Sequence, residues 1–326
     1  MSGLELGLLP AGALHDKRFD VVALGEAMLE FNQTHSDQPN YLQGYGGDTS
    51  NAVIAAARAG ASTAYVSRLG DDWFGSQLRA LWANEGVDAS AVEIDPTRSS
   101  GIYFVTHGTN GHHFSYLRAG SAASAMTPDW LPRDVIRQAR ILHVSGISLA
   151  ISSSAEKTVL AAMHEARGAS TLVSFDSNLR LKLWPLKHAQ RVIGEAVGLC
   201  DIFLPSQEDL ETLTGLREPE AMVDWAHQQG AKTVVLKLGA QGCLVSHGHR
   251  RVVVPGRPAT LIDATGAGDC FCGNLLARLA TGANVFDAAR FANVAASLAV
   301  QGFGAVAPLP YFAAVQAVLD GDAAMG

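Results

Sequence analysis

Hydrophobic residues in the middle of the chain form short continuous runs, and each run is followed by a stretch in which they recur every three or four positions. Continuous β-branched runs are typical of parallel strands buried on both faces. Hydrophobic residues at every third or fourth position are typical of amphipathic helices. The predicted strands are Asp20–Leu24, Thr63–Leu69, Arg140–Val144, Thr171–Phe175, Asp201–Leu204 and Thr233–Leu238. The helices predicted between them are Ser50–Arg58, Phe74–Glu85, Ser154–Arg167, His188–Leu199 and Pro219–Gln229.

This alternation of strands and helices predicts an α/β fold, with a doubly wound, mostly parallel sheet that is flanked by helices. The first residues, up to Lys17, lack the basic start and apolar core of a signal peptide. We therefore expect an N-terminal extension over residues 1–18 and one α/β domain over residues 19–320. The chain ends in three predicted helices, Phe271–Ala280, Val285–Val300 and Tyr311–Leu319.

Two segments, Glu30–Tyr45 and Gly101–Arg118, break the alternation because neither has helical periodicity. The second is typical of a β-hairpin that turns through Gly-Thr-Asn-Gly. Because an inserted hairpin joins a parallel sheet poorly, we expect a small separate β-sheet over the site, the lid, from about residues 27–46 and 98–120. Such a sheet is marginal alone, so we expect two subunits to pair through it. The predicted hairpin strands are Ile102–Thr106 and His113–Leu117.

Composition narrows the class of protein. The 326 residues are 48% hydrophobic and 17% charged, which suits one large globular domain. A net charge of −7 without a basic stripe argues against nucleic-acid binding, and no apolar run reaches the ~18 residues of a membrane span. The four cysteines have neither disulfide nor metal-binding spacing, so we expect a cytoplasmic protein with reduced thiols.

The stretch Asp263–Asn274 carries the most chemistry, because two glycines one residue apart precede an apolar helix. The start of a helix leaves backbone N–H groups without partners and places partial positive charge there. Gly266, Ala267 and Gly268 therefore predict an anion hole for a phosphate. Asp269 fits a base that takes a proton from the hydroxyl attacking that phosphate. The alternative is a Gly-rich turn in which Asp269 only favours the start of the helix.

Asp-x-x-Gly-Ala-Gly-Asp-x-Phe at the start of a helix resembles the C-terminal signature of the ribokinase-like (PfkB) carbohydrate kinases. In that family the last Asp is the catalytic base, and the Gly-Ala-Gly amides form the anion hole. The resemblance covers about residues 19–310. It implies a sugar kinase that uses ATP and Mg²⁺ and carries a β-strand lid, with Asp269 as its base.

The sequence Gly-Gly-Asp-Thr-Ser-Asn at 46–51 precedes an Ala-rich helix. Gly47 lets a ligand approach the backbone, and Asp48 or Asn51 can hold sugar hydroxyls. A helix cap by Asp48 or Thr49 is an equal alternative from the residues alone. The N-terminal signature of the family, Gly-Gly-x-x-x-Asn, contacts the sugar. The resemblance therefore favours Gly47, Asp48 and Asn51 as substrate-binding residues.

The sequence Asp-Ser-Asn-Leu-Arg at 176–180 directly follows a predicted strand, and ligands of open α/β sheets gather at the carboxyl ends of strands. Asn178 and Arg180 are therefore predicted to meet substrate or phosphate, and Arg180 suits bidentate contact with an anion. The alternative is a surface arginine. The pattern Asp-x-Asn-x-Arg is typical of the sugar-acid and fructose branches of the family. We assign Asn178 to the cofactor and Arg180 to both ligands.

A Lys-Leu-Gly-Ala-Gln-Gly sequence at 237–242 also follows a strand, and its glycines alone favour a tight turn into the next strand. The resemblance instead places Lys237, Gly239 and Gly242 at the phosphates of the nucleotide. The adenine would then lie between this loop, the helix around Asn293 and the turn at Gly302–Gly304.

One motif departs from the family. The family has Asn-x-x-Glu near the phosphate and Mg²⁺, whereas this chain has Ser206 and Asp209 in the corresponding positions. Both can bind a hydrated Mg²⁺ through water, because Mg²⁺ keeps several of its waters. We assign Ser206 to the cofactor site. Asp263 and Thr265 are candidates for a monovalent-cation site holding K⁺, as in some relatives.

The run that begins at Tyr116 resembles the Tyr-x-Arg-x-Gly-Ser-Ala sequence of 2-keto-3-deoxygluconate kinases. A sugar acid needs a cation, and Arg118 of the lid and Arg180 at the strand end suit its carboxylate. Tyr103 and Tyr116 would close over the substrate. The alternative for Arg118 is a salt bridge on the lid surface.

The sequence therefore predicts ATP-dependent phosphorylation of 2-keto-3-deoxygluconate at its C6 hydroxyl. A fructokinase, or a kinase for the galactonate epimer, is the alternative among enzymes. A sugar- or nucleotide-binding regulator on the same fold is the alternative of another class.

Overall fold

A nine-stranded sheet runs through the described residues, which are 17–36, 38–108 and 111–325 of the computed structural model. In spatial order its strands are β13 (Arg250–Pro255), β12 (Gly242–His247), β11 (Thr233–Lys237), β10 (Ile202–Phe203), β9 (Leu172–Asp176), β8 (Ala139–Ser145), β1 (Phe19–Leu24), β4 (Thr63–Gly70) and β5 (Val92–Asp95). The strands from β11 to β5 are parallel, and β12 and β13 extend one edge in antiparallel order. In the centre, Val22 of β1 pairs with Ala64 and Leu142.

Helices cover both faces of this sheet. They are α1 (Asp48–Arg58), α2 (Trp73–Asn84), α3 (Arg133–Arg137), α4 (Gly146–Ala150), α5 (Ser153–Gly168), α6 (Leu186–Leu199), α7 (Gln207–Thr214), α8 (Pro219–Gln229), α9 (Ala267–Ala280), α10 (Val285–Ala299) and α11 (Phe312–Met325). Because successive strand residues point to opposite faces, Val21 and Ala23 pack with α1, α9 and α10, whereas Val22 and Leu24 pack with α5, α6 and α8. None of the described helices combines the length and apolar character needed to cross a membrane.

The lid is a separate four-stranded sheet. Its strands, in spatial order, are β3 (Tyr41–Gly46), β2 (Met28–Gln33), β6 (Gly101–Gly108) and β7 (Gly111–Leu117). β2 and β6 are parallel, and the two outer pairs are antiparallel. Since β2 follows β1 and β6 follows β5, the lid begins at the carboxyl ends of the parallel strands of the large sheet.

The predicted fold class is confirmed. The six predicted strands lie within one residue of the observed ones, because buried β-branched runs leave little freedom in their placement. Most of the predicted N-terminal extension and the centre of the hairpin turn, residues 109 and 110, lie outside the described residues. The boundaries of the α/β domain at residues 19 and 320 stay a prediction. Elements that were not predicted are β5, β13, α3, α4 and α7.

Candidate active site

The anion hole predicted at residues 266–268 lies at the beginning of α9. Gly266 precedes the helix with a φ of 75°, and a Cβ there would lie 3.0 Å from atoms of Ala305, so only glycine fits without strain. No side chain caps this helix, and the Ala267 N–H donates to the backbone oxygen of Ala264 at 3.1 Å, so the N–H groups of Gly268 and Asp269 are left for another acceptor. The beginning of α9 can therefore bind an anion, although the N–H of Ala267, one of the three residues predicted to form the anion hole, already has a protein acceptor.

Asp269 lies in the first turn of α9 and accepts a hydrogen bond from Nδ2 of Asn51 at 2.8 Å. Removal from water, together with the negative charges of Asp48 and Asp176, raises the pKa of Asp269 to about 7, although Asn51 and Lys237 oppose the shift. A carboxylate with this pKa can accept and release a proton near neutral pH, as a general base requires.

The loop predicted to bind sugar hydroxyls meets this carboxylate. Gly47 precedes α1 with a φ of 111°, and a Cβ there would lie 2.5 Å from the backbone oxygen of Glu26. Asp48 accepts hydrogen bonds from Nδ2 of Asn178 and from the Thr49 N–H, each at 2.8 Å. Gly47 occupies the cap position, so neither Asp48 nor Thr49 caps the helix from outside it.

Asn178 was assigned to the cofactor, but its side-chain amide faces Asp48. Its φ of 27° is unusual for a residue other than glycine, and the turn after β9 carries the amide toward α1. The geometry therefore favours the sugar side for Asn178.

Lys237 lies beside the beginning of α9, because a Cβ on Gly268 would be 3.7 Å from its Nζ. Nζ donates to Oδ2 of Asp176 at 2.7 Å, and the Cys272 thiol donates to the same oxygen at 3.3 Å. Burial lowers the pKa of Lys237, but Asp176, Cys272 and Asp209 together outweigh burial and raise this pKa, so the side chain is a cation. A positive charge next to free helix N–H groups suits a polyphosphate.

Ser206 and Asp209 both have protein partners. The Ser206 hydroxyl accepts a hydrogen bond from the Asp209 N–H at 3.1 Å and so caps α7. Oδ2 of Asp209 accepts from Ser177 at 2.6 Å and from the Leu179 N–H at 3.1 Å, and burial raises the pKa of this carboxyl. No cluster of three or more His, Cys, Asp or Glu residues that could hold a metal ion occurs in the described part of the chain. A Mg²⁺ ion here would therefore depend on phosphate and water ligands.

The glycines at 239 and 242 form the turn between β11 and β12, as the tight-turn alternative predicted. Gly242 has a φ of 98°, and a Cβ there would lie 2.2 Å from the oxygen of Val254. Nδ2 of Asn293 donates to the backbone oxygens of Val254 and Pro255 at 3.1 and 3.2 Å, which ties α10 to β13. A nucleotide contact for Gly239, Gly242 and Asn293 stays a prediction.

Asp263 organises the loop before α9. Its Oδ1 accepts from the N–H and hydroxyl of Thr265 at 2.9 and 2.7 Å, and its Oδ2 accepts from the Gly304 N–H at 2.9 Å. Both carboxylate oxygens therefore bind protein donors. The K⁺ site at Asp263 and Thr265 stays a prediction without support from these side chains.

The two tyrosines of the lid differ in exposure. The Tyr103 hydroxyl donates to Oε2 of Glu30 at 2.5 Å and lies against Gly46, where a Cβ would be 2.3 Å away. Tyr116 stacks on Tyr103 with ring centroids 5.6 Å apart and is 45% exposed. Tyr103 thus borders residues 46–51, the sugar loop, and Tyr116 covers Tyr103 from outside.

The two arginines that were predicted to bind a substrate carboxylate also differ in their exposure and in their partners. Arg118 forms an ion pair with Glu26, and their side chains are only 11% and 1% exposed, so the salt bridge expected as the alternative exists but is buried. Arg180 is exposed, and its Nη1 donates to the backbone oxygen of Leu179 at 2.8 Å. Within residues 17–36, 38–108 and 111–325, no salt bridge joins Arg180 to a carboxylate.

A model of the pfkB family carbohydrate kinases matches residues 18–311. The chain belongs to this family. It is 33% identical to the 2-dehydro-3-deoxygluconokinase of Thermoproteus tenax, over 90% of this chain and 91% of that protein. It is 32% identical to fructokinase-2 of Solanum habrochaites, over 93% of this chain and 97% of that protein.

Solved structures of PfkB kinases agree with the fold. A PfkB protein from Polaromonas sp. JS666 is 33% identical, with a TM-score of 0.84 over 92% of this chain and 99% of its own. A fructokinase from Vibrio cholerae O395, bound to fructose, ADP and calcium, is 31% identical, with a TM-score of 0.83 over 91% and 98%. The predicted family and its ribokinase-like fold are confirmed. The similar identities to the two kinds of kinase leave the sugar substrate open.

Three residues of this PfkB site were not among the predicted ones. Asp176 stood in a predicted motif without a role, and it pairs with Lys237. Cys272 is three residues after Asp269, so helical spacing could have placed both on one face of α9. Glu26 carried no sequence signal beyond an acid after an apolar strand.

Proposed function

We propose that this PfkB kinase transfers the γ-phosphoryl group of ATP to the C6 hydroxyl of 2-keto-3-deoxygluconate, giving 2-keto-3-deoxy-6-phosphogluconate and ADP. The observation that carries the choice of a sugar acid is Arg180, an exposed arginine in the loop after β9 with no acidic partner among the described residues. A neutral sugar gives such a cation nothing to neutralise, whereas a carboxylate accepts its paired N–H groups.

Asp269 acts as the base in this reaction. The hydrogen bond from Asn51 turns one carboxylate oxygen away from solvent and leaves the other for the C6 hydroxyl. With a pKa of about 7, Asp269 is substantially ionised at neutral pH and can take the proton as the hydroxyl attacks the γ-phosphorus.

The beginning of α9 stabilises the charge on the transferring group. Free backbone N–H groups in the first turn, such as that of Gly268, are held in place by the helix, so they need little reorganisation during transfer. Lys237 lies beside them, where its N–H groups can donate to phosphate oxygens although Asp176 balances its charge. Ser206 and Asp209 would hold Mg²⁺ through its water ligands, and the ion would supply further neutralisation of phosphate charge.

Sugar hydroxyls are held by the hydrogen-bonded pair Asp48 and Asn178, with Gly47 allowing close approach. At the other end of the sugar acid, Arg180 pairs with the carboxylate of the substrate. Arg118 contributes a directional hydrogen bond rather than a free charge, since Glu26 already neutralises it. Tyr103 and Tyr116 shield the substrate from water.

Fructokinase activity is the second candidate. It is favoured by the neutralised charge of Arg118 and by the similarity to plant fructokinases and to the fructose-bound structure from Vibrio cholerae. In that case Arg180 would serve the phosphates of ATP.

Release of ADP from MgATP with a panel of sugars tests the proposal. We expect kcat/KM for 2-keto-3-deoxygluconate to exceed that for fructose by about 10-fold or more, the discrimination that one lost charge-assisted contact gives. The galactonate epimer and ribose complete the panel. A preference for fructose would support the fructokinase, and sugar binding without ADP release would support a regulator.

We also propose a homo-oligomer that pairs through the lid in the cytoplasm. Leu42 and Leu117, at 66% and 60% exposed, are large apolar residues on the outer lid strands. Replacing both with Asp should reduce the mass measured by light scattering, and an unchanged mass would contradict the pairing.

A further inference from the structure

Glu26 is a buried acid outside every motif of the sequence. It follows β1 directly, in the short connection to the first lid strand β2, and is 2% exposed. A carboxylate at this depth needs partners, because an uncompensated buried charge is costly.

The two carboxylate oxygens of Glu26 hold both ends of one short segment. Oε2 forms an ion pair with Nη2 of Arg118, and Oε1 accepts a hydrogen bond from Oγ of Ser121 at 2.5 Å. These two residues follow β7, where the lid returns to the rest of the chain. Glu26 therefore anchors the last part of the lid to the end of β1.

Glu26 also borders the sugar loop. A Cβ on Gly47 would lie 2.5 Å from its backbone oxygen, and a Cβ on Gly101 would lie 3.0 Å from its Oε1. Gly47 immediately precedes Asp48, and Gly101 begins the lid strand β6. The sugar loop thus meets the backbone of Glu26, and both ends of the β6–β7 hairpin meet its carboxylate.

The ion pair fixes Arg118 without using all of its donors. The guanidinium carbon lies 5.9 Å from the centre of the Tyr116 ring, and the Nε–H is buried with no acceptor among the described residues. Arginine has five N–H donors in a rigid fork, so an acid that holds one end sets the direction of the others. A buried donor without a partner is rare in native proteins and requires an explanation, and beside the sugar loop a ligand supplies one.

We propose that Glu26 is a positioning residue, which holds the guanidinium of Arg118 so that its Nε–H donates to the carboxylate of the substrate. This inference rests on the proposed function, because it takes Arg118 as a contact of a sugar acid. Glu26 itself does not touch the substrate and acts through Arg118.

A double-mutant cycle in the full-length enzyme tests this role. Glu26→Gln keeps the shape of the side chain and removes its charge, and Arg118→Met keeps most of the length and removes the guanidinium. Glu26→Gln alone leaves the Arg118 charge buried without its partner, whereas the combined variant leaves no lone buried charge. Ser121→Ala is the matched control, because it removes the other bond of Glu26 and leaves the ion pair.

We expect Glu26→Gln to raise KM for 2-keto-3-deoxygluconate by about 10-fold, as the loss of one charge-assisted hydrogen bond would, with kcat changed by less than about twofold. In the Arg118→Met background the same substitution should change KM by less than about twofold, because residues that act as a unit are not additive. Ser121→Ala should leave KM close to that of the wild type.

Additive effects in the combined variant, or a Glu26→Gln enzyme whose kcat and Tm fall while KM is unchanged, would assign Glu26 to folding and overturn the inference. A wild type that does not phosphorylate the keto acid would overturn the proposed function and this inference with it. An active wild type with an additive cycle would overturn the inference alone.

Discussion

The phosphate end and the sugar end of the active site are built differently. At the phosphate end, one contiguous segment supplies the anion hole and the base, and its N–H groups come from the beginning of α9. At the sugar end, side chains far apart in the chain pair across the lid, Glu26 with Arg118 and Glu30 with Tyr103. In the proposed function, the contiguous segment carries out phosphoryl transfer, whereas the distant pairs shape the part of the site that holds the sugar.

The charged neighbours of the acidic side chains also differ between the two ends. Asp269 lies near the charges of Asp48 and Asp176, which help to raise its pKa to about 7 and so prepare it for proton transfer. Glu26 instead forms an ion pair with Arg118. We propose that Asp269 serves proton transfer and that Glu26 positions Arg118.

The largest expected effect is at the phosphate end. Asp269→Asn keeps the size of the side chain and removes its ability to accept a proton, so kcat should fall by about 10²–10⁴. Calorimetric titration should find sugar and ATP binding largely preserved. A kcat close to that of the wild type would show that another group is the base.

The anion hole gives the next largest effect. Gly268→Val places a branched side chain among the helix N–H groups and should lower kcat by about 10²–10³, comparable to the loss of one oxyanion donor. Gly268→Ala is the control for folding, because its Cβ would meet only Lys237 Nζ at an ordinary distance of 3.7 Å. Unchanged kinetics of the valine variant would place the phosphate elsewhere.

The contrast between the two ends also explains what could be predicted from the sequence. The beginning of α9 depends on local geometry, so the glycines and Asp269 were visible in one motif. The strands were equally visible, because burial on both faces requires continuous apolar runs.

The partners of Arg118 and Tyr103 could not be predicted, because contacts between residues far apart in the chain produce no characteristic spacing in the sequence. Arg118 was predicted to be free for the substrate, or paired on the lid surface, and is paired in the interior. Asn178 was assigned to the cofactor because a strand end does not reveal which way a side chain points, and its unusual φ turns it to Asp48.

The pH dependence separates the two kinds of acid. Because Asp269 must be ionised, kcat/KM should fall about tenfold per pH unit below its pKa of about 7. Asp48→Asn removes a negative neighbour and should move this limb to lower pH, whereas Ser121→Ala should not move it. A profile that is flat between pH 5 and 7 would contradict the assignment.

A smaller effect concerns stability. The pKa of Asp269 is higher in the folded protein than the ordinary 3.8, so its contribution to stability is complete below about pH 4 and is lost as pH rises through about 7. Asp269→Asn should therefore raise Tm by a few degrees at pH 8 and leave it unchanged near pH 4. A lower Tm of the variant at pH 8 would contradict the claim that the ionised side chain of Asp269 destabilises the folded protein.

The most direct test of the account is the ratio of kcat/KM for 2-keto-3-deoxygluconate to that for fructose, measured in the wild type and in Arg180→Ala. Loss of a charge-assisted contact should lower this ratio by about 10- to 150-fold, because only the keto acid uses the cation. Arg217→Ala, which removes an exposed arginine paired with Glu211, is the control and should leave the ratio unchanged. A ratio that stays constant in Arg180→Ala, or a wild type that prefers fructose, would contradict the sugar-acid assignment.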